Sequence, residues 1–251
     1  MLELKDISKS FGGVMALSST SFTLQEKEIF GLIGPNGAGK TTLINIISRN
    51  YKQDSGEIFF QGREISALKP HEILRFGMAR TFQNIRLFSS MTVLENVLIA
   101  LHERISYSFI EAFLHLGRFR KEEVRAKNEA IELLQRLDLL KYANSLATEL
   151  SYGLQRKVEI VRALAASPKL LLLDEPVAGM NASESAALAD LILELKNDLS
   201  ILLIEHDMSF VNKLCDRVLV LDYGRVIFTG KPSEAVKSEE VISAYLGSVD
   251  A

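Results

Sequence analysis

The chain has 251 residues, 47% hydrophobic and 24% charged, with 29 basic against 32 acidic side chains and a net charge of −3. That length allows one large domain, or a core domain with a satellite, and the apolar fraction excludes disorder. The even charge balance argues against a dedicated nucleic-acid binder, which carries a basic excess or stripe. The single cysteine, Cys215, excludes an intramolecular disulfide and a cysteine-based metal cluster, and it fits a reducing compartment.

No stretch approaches the roughly 18 uninterrupted apolar residues that a helix needs to cross a bilayer. The densest runs, 97–101 and 170–173, end in His102 and Asp174. The opening Met1-Leu2-Glu3-Leu4-Lys5-Asp6 carries charges where a signal peptide needs an apolar core. The expectation is a soluble intracellular chain.

Up to about residue 62 the sequence reads as short strands broken by turns. Residues 2–7 and 21–24 alternate apolar and polar side chains, and 57–60 form another strand ended by Gly62. Between them, Ile29-Phe30-Gly31-Leu32-Ile33 is a mostly apolar strand that runs into a glycine-rich loop. From about Thr92 to Tyr142 helical spacing dominates. Ala130, Leu133, Leu134 and Leu137 fall on one helix face, and Lys121, Glu122, Glu123, Arg125 and Lys127 read as a solvated one.

The last part alternates apolar strands with helices. Strands are expected at 170–173, 201–204 and 218–221, and a helix at 208–214. Another helix places Leu188, Leu191, Ile192 and Leu195 on one face, with Asn181 and Glu184 as a capping pair at its start. This alternation predicts an α/β fold with a mainly parallel sheet covered on both faces. Ligands of such sheets bind at the carboxyl ends of the strands.

The chemistry clusters there. Gly34-Pro35-Asn36-Gly37-Ala38-Gly39-Lys40-Thr41-Thr42 matches G-x-x-x-x-G-K-[ST], with a strand before and a helix after. The glycines let the backbone curl so that several N–H groups face phosphates, and Lys40 adds charge for the β- and γ-phosphates. The Thr41 hydroxyl can ligate Mg²⁺, and the following helix offers its positive end. At 170–175, four leucines end in Asp174 and Glu175. Beside a phosphate loop, Asp174 suits holding the metal of Mg²⁺·ATP, and Glu175 suits polarising an attacking water.

With these residues the chain resembles an ABC transporter ATP-binding subunit along essentially its whole length. That family carries a second signature, usually L-S-G-G-Q. Here it reads Leu150-Ser151-Tyr152-Gly153-Leu154-Gln155, with Tyr152 for the first glycine and Leu154 for the glutamine. The resemblance implies that Ser151 and Gly153 face the γ-phosphate of a nucleotide held by a second subunit. It implies that Gln83 approaches the metal and the attacking water, and that the Gln83 segment contacts a transmembrane partner. His206 matches the switch histidine, and Phe11 the aromatic that stacks on adenine. Ala178-Gly179-Met180-Asn181 occupies the loop that usually reads S-A-L-D.

The resemblance also implies architecture. A P-loop (RecA-like) core with an N-terminal antiparallel β subdomain would cover 1–86 and 156–251, and a helical signature subdomain 87–155. Thr81-Phe82-Gln83-Asn84, Met91-Thr92-Val93 and Ala178-Gly179-Met180-Asn181 look like the subfamily serving importers of branched-chain and other hydrophobic amino acids. The charged stretch between about residues 103 and 123 fits its longer helical insertion.

The implied function is ATP hydrolysis that powers a membrane importer through closure of a homo- or heterodimer around ATP and Mg²⁺. The implied partners are permease subunits and, indirectly, a solute-binding protein, at the cytoplasmic face of the membrane; nucleic acid is not among them. Rival readings are urea or amide import, lipid export and a soluble non-transport ABC ATPase. A P-loop kinase needs neither the 150–156 stretch nor His206, and a binding-only nucleotide sensor does not need Glu175.

Overall fold

The computed structural model describes residues 1–102 and 117–246. Most of the expected helical insertion (103–116) lies outside the described residues. Contacts divide the chain into two compact units. The first is Met1–Arg80, Lys169–Pro176 and Ala189–Ala251; the second is Thr81–Pro168 and Val177–Leu188. Contact boundaries thus fall at 80/81 and 168/169, against the expected 86/87 and 155/156. The reason is that helix Tyr152–Ala165 packs on helices of the second unit.

The first unit holds the strands β1 (Leu2–Phe11), β2 (Val14–Leu24), β3 (Ile29–Ile33), β4 (Ser55–Phe60), β5 (Arg63–Glu64), β6 (Met78–Arg80), β7 (Leu170–Asp174), β8 (Ser200–Ile204), β9 (Arg217–Asp222) and β10 (Arg225–Gly230). They form an antiparallel sheet, β2-β1-β4-β5, and a six-stranded sheet, β10-β9-β3-β8-β7-β6. In the larger sheet β9, β3, β8, β7 and β6 run parallel, and β10 is antiparallel to β9. Strands β3, β7 and β8 are buried at every position, as continuous apolar runs covered on both faces must be. Phe30 of β3 stacks on Phe22 of β2 at 5.1 Å, which joins the two sheets in one core.

Helix α1 (Lys40–Ile47) follows β3 and buries Leu43, Ile44, Ile46 and Ile47. Helix α2 (Pro70–Arg75) precedes β6. In the second unit, α3 (Val93–Leu101) starts at a capping box in which Glu95 N–H donates to Thr92 Oγ1 and Thr92 N–H to Glu95 Oε2. Helix α4 (Gly117–Arg136) buries Ala130 and Leu134 of the expected apolar face. Helix α5 (Tyr152–Ala165) packs on both and buries Val158, Val161 and Ala165. Helix α6 (Ala182–Leu195) begins in the second unit and ends in the first. Its expected cap forms: Glu184 N–H donates to Asn181 Oδ1 at 3.0 Å, and Asn181 N–H to Glu184 Oε2 at 3.2 Å. Helices α7 (Met208–Leu214), α8 (Pro232–Ala235) and α9 (Glu239–Leu246) complete the first unit.

Cys215, just after α7, is buried against β3. A Cβ on Gly31 would stand 3.0 Å from its Sγ. Burial, with the charges of Asp216 and Glu205, pushes its thiol up to about 12. Only the thiolate attacks. A thiol reagent at pH 8 should therefore label the folded chain about a thousandfold more slowly than the urea-unfolded chain, because three pKa units separate the two thiols. Stopped-flow labelling in both states measures this.

Candidate active site

Strand register aligns the carboxyl ends of β3, β8 and β7. Leu32 pairs with Ile204, and Ile204 pairs with Asp174. Beyond this level the chain continues into Gly34, Glu205 and Glu175. The loop from Gly34 turns tightly. Gly34 sits at φ 145°, and a Cβ there would lie 2.1 Å from the carbonyl oxygen of Leu221. Gly39, the N-cap of α1, has no side chain to cap the first turn, so the helix presents its leading N–H groups to a ligand.

Lys40 closes this loop on itself. Its ammonium donates to the carbonyl oxygens of Gly34 at 2.6 Å and Pro35 at 2.9 Å. Burial lowers the pKa of the Lys40 ammonium, and the charges of Glu175 and Asp174 oppose that shift. The lysine and both carboxylates thus share one electrostatic neighbourhood.

Asp174 is held by a residue that sequence reasoning misses. Arg80, at the end of β6, donates through Nη2 to Asp174 Oδ2 at 2.9 Å. Its Nη1 donates to Asn45 Oδ1 at 2.7 Å and Ser48 Oγ at 2.8 Å, so the same guanidinium grips the end of α1. The only sequence signal is a cation ending a three-residue strand. Glu175 adopts φ 46°, and its N–H donates to Ile204 O at 2.9 Å, which extends the β7–β8 ladder by one step.

His206 follows buried Glu205, and its ring is exposed. Its N–H donates to Glu205 Oε2 at 3.2 Å, and its Nδ1 lies 3.8 Å from the same oxygen. Asp207 caps α7 through bonds from the Ser209 and Phe210 N–H groups, which fixes the turn that carries His206.

Phe11 ends β1 opposite Val14, and the intervening Gly12 and Gly13 make the hairpin turn at positive φ. It is exposed rather than buried in its strand. Its ring meets Tyr51 edge-on at 5.5 Å and lies 5.3 Å from Lys9 Nζ. Farther along β2, the Ala16 carbonyl would stand 2.6 Å from a Cβ on Gly39, so the hairpin strand crosses the phosphate loop.

The first unit contains Phe11, Gly34, Pro35, Asn36, Gly37, Ala38, Gly39, Lys40, Thr41, Thr42, Asp174, Glu175 and His206, and of these the structure sets Lys40 in the field of Asp174 and Glu175. Gln83, Ser151 and Gly153 belong to the second unit. Ser151 occupies the N-cap of α5, yet its hydroxyl makes no capping bond. It donates instead to Glu184 Oε1 at 3.5 Å. Gly153 faces the same carboxylate: a Cβ there would lie 2.7 Å from Glu184 Oε1. Glu159, two turns into α5, has its carboxyl pKa raised by burial, against the opposing charge of Arg156.

The donors suit a nucleoside triphosphate and a hard cation. A glycine-lined loop, a buried ammonium, a threonine hydroxyl and a carboxylate are oxygen and N–H chemistry at close range. Parallel strand ends, phosphate loop and paired acids define a P-loop nucleoside triphosphatase. Residues 17–178 match the ABC transporter family, and the chain belongs to that family as its ATP-hydrolysing cassette.

The high-affinity branched-chain amino acid transport ATP-binding protein LivG of Salmonella typhimurium is 42% identical over 249 residues, 98% of each chain. The ADP conformation of an ABC transporter ATP-binding cassette superposes with TM-score 0.86 at 33% identity, covering 98% of both chains. A dimeric cassette in a post-hydrolysis state, bound to ADP and Pi, superposes with TM-score 0.77 at 26% identity, covering 92% of this chain and 99% of that one.

The Arg80–Asp174 pair is almost wholly buried, with side chains 9% and 10% exposed. Breaking such a pair strands a charge in the interior. Arg80→Met should lower unfolding stability by about 3 kcal/mol. Arg80→Lys, which keeps the charge, should cost less. Urea denaturation of the three chains checks both.

Proposed function

We propose that this chain is the ATP-hydrolysing subunit of a membrane importer for branched-chain or other hydrophobic amino acids. The observation that carries the reading is the convergence of buried Lys40 with Asp174 and Glu175 at aligned strand ends. The likeness to LivG over nearly all of both chains supports the substrate class. No helix among the described residues is long and apolar enough to cross a membrane, so the span would lie in permease subunits. The chain would dock on them from the cytoplasmic face, through the segment around Gln83 and Phe88. A solute-binding protein would deliver the amino acid from the other side.

Lys40 holds the β- and γ-phosphates, and the N–H groups of the loop and of α1 bind their oxygens. Thr41, Asp174 and Gln83 would hold Mg²⁺, which when bound neutralises the phosphate oxygens. Phe11 stacks on the adenine. Glu175 accepts a proton from the attacking water. His206 donates to the γ-phosphate as charge develops on it. Ser151 and Gly153 of a second subunit complete the site from the other side. Closure is favoured because both subunits contact one nucleotide, and hydrolysis removes that shared ligand. The dimeric cassette among the similar structures supports this arrangement.

Glu175→Gln keeps the shape of the side chain and removes the base. Hydrolysis should fall at least about 100-fold, while ATP-dependent dimerisation persists by size-exclusion chromatography. Near-normal turnover in that variant would overturn the role of Glu175.

A further inference from the structure

Tyr152 stands where the signature pattern has a glycine, and it makes contacts no glycine could make. Its ring lies against the Gly179 turn: a Cβ on Gly179 would stand 3.4 Å from Cε1 and 3.7 Å from Cζ, in van der Waals contact. Gly179 itself sits at φ 79°. On its other side Tyr152 meets Arg156, whose Nη2 donates to the phenol oxygen at 3.4 Å and whose guanidinium carbon lies 5.9 Å from the ring centroid.

Arg156 is the largest fully buried side chain of the described residues. It spends its donors on the stretch that carries Gln83. Nη1 donates to Phe82 O at 2.5 Å and Nη2 to Gln83 O at 2.6 Å. Glu159, paired with Arg156 Nη1 at 2.6 Å, accepts from Phe82 N–H at 3.4 Å. One ion pair on α5 therefore grips both ends of a single residue's backbone. Farther on, Asn96 of α3 accepts from Phe88 N–H at 2.9 Å and donates to Phe88 O at 3.1 Å. The 82–88 stretch is strapped to helices at both ends, although it has no regular structure of its own.

We propose that Tyr152 and Arg156 are positioning residues that join the Gln83 stretch, the first turn of α5 and the Gly179 turn into one body. A displacement of Gln83 is then carried to Ser151 and Gly153, which flank Tyr152. The inference rests on the reading of Gln83 and Ser151 as nucleotide-contacting residues. It adds that this chain's departure at 152 supplies the link between them. Burial alone does not explain a tyrosine here, since the side chain remains 39% exposed.

The test uses the full chain with Tyr152→Ala and Tyr152→Phe. Amide hydrogen exchange in Tyr152→Ala should be about tenfold faster at 83–88 and at 179–180, with the first unit unchanged. Tyr152→Phe, which keeps the ring, should fall between. In a Glu175→Gln background, Tyr152→Ala should weaken ATP-driven dimerisation about tenfold while ATP affinity of the monomer stays within about twofold. Unchanged exchange at 83–88, or a uniform rise over both units, overturns the proposal. So does unaltered dimerisation beside altered exchange. If the Glu175→Gln chain does not dimerise with ATP at all, the dimer reading fails, and exchange alone decides the link.

Discussion

Lys40 is a cation kept inside the loop it serves. Its bonds to the Gly34 and Pro35 carbonyls hold the ammonium in a buried place where its own charge is disfavoured. Two carboxylates from the next-but-one strand make that tolerable. The rest of the first unit follows from this requirement. Strands β3, β8 and β7 must lie in register for their ends to meet. Gly34 must lack a side chain for the loop to pass Leu221. Arg80 must pin Asp174, because a second buried charge needs its own partner.

The second unit solves a related problem with a different device. The Gln83 stretch is irregular backbone, and its carbonyls need donors wherever water is excluded. Arg156 supplies them, and Glu159 balances the charge. A buried ion pair is weak evidence for stability but a strong constraint on geometry. Here the geometry constrained is that of a loop beside the signature turn.

Much of this is legible in the sequence. The strand at 29–33 and the helix at 208–214 match their observed bounds, because apolar runs and a capping Asp207 mark them sharply. The phosphate loop and Asp174 are legible because their chemistry needs fixed residues at fixed spacing. Strands β1 and β2 run longer than alternation suggests, since register shifts along β1 break the period of two. Strand β6 is missed because three residues carry no periodicity. Arg80, Arg156 and Glu159 are illegible for a deeper reason. Charges on a helix or at a strand end read as solvated, and apart from the Arg156–Glu159 and Arg156–Tyr152 pairs their partners lie 32 to 94 residues away along the chain.

The turn after β7 has one more consequence. Glu175 holds a left-handed backbone conformation that glycine adopts freely and most side-chain-bearing residues avoid, a strain of about 1 kcal/mol or more. The residue proposed to take the proton of the attacking water is thus also one that the fold holds at some expense. Selection for stability alone would favour glycine at this position. If the carboxylate serves as the proposed base, this turn trades some stability for turnover.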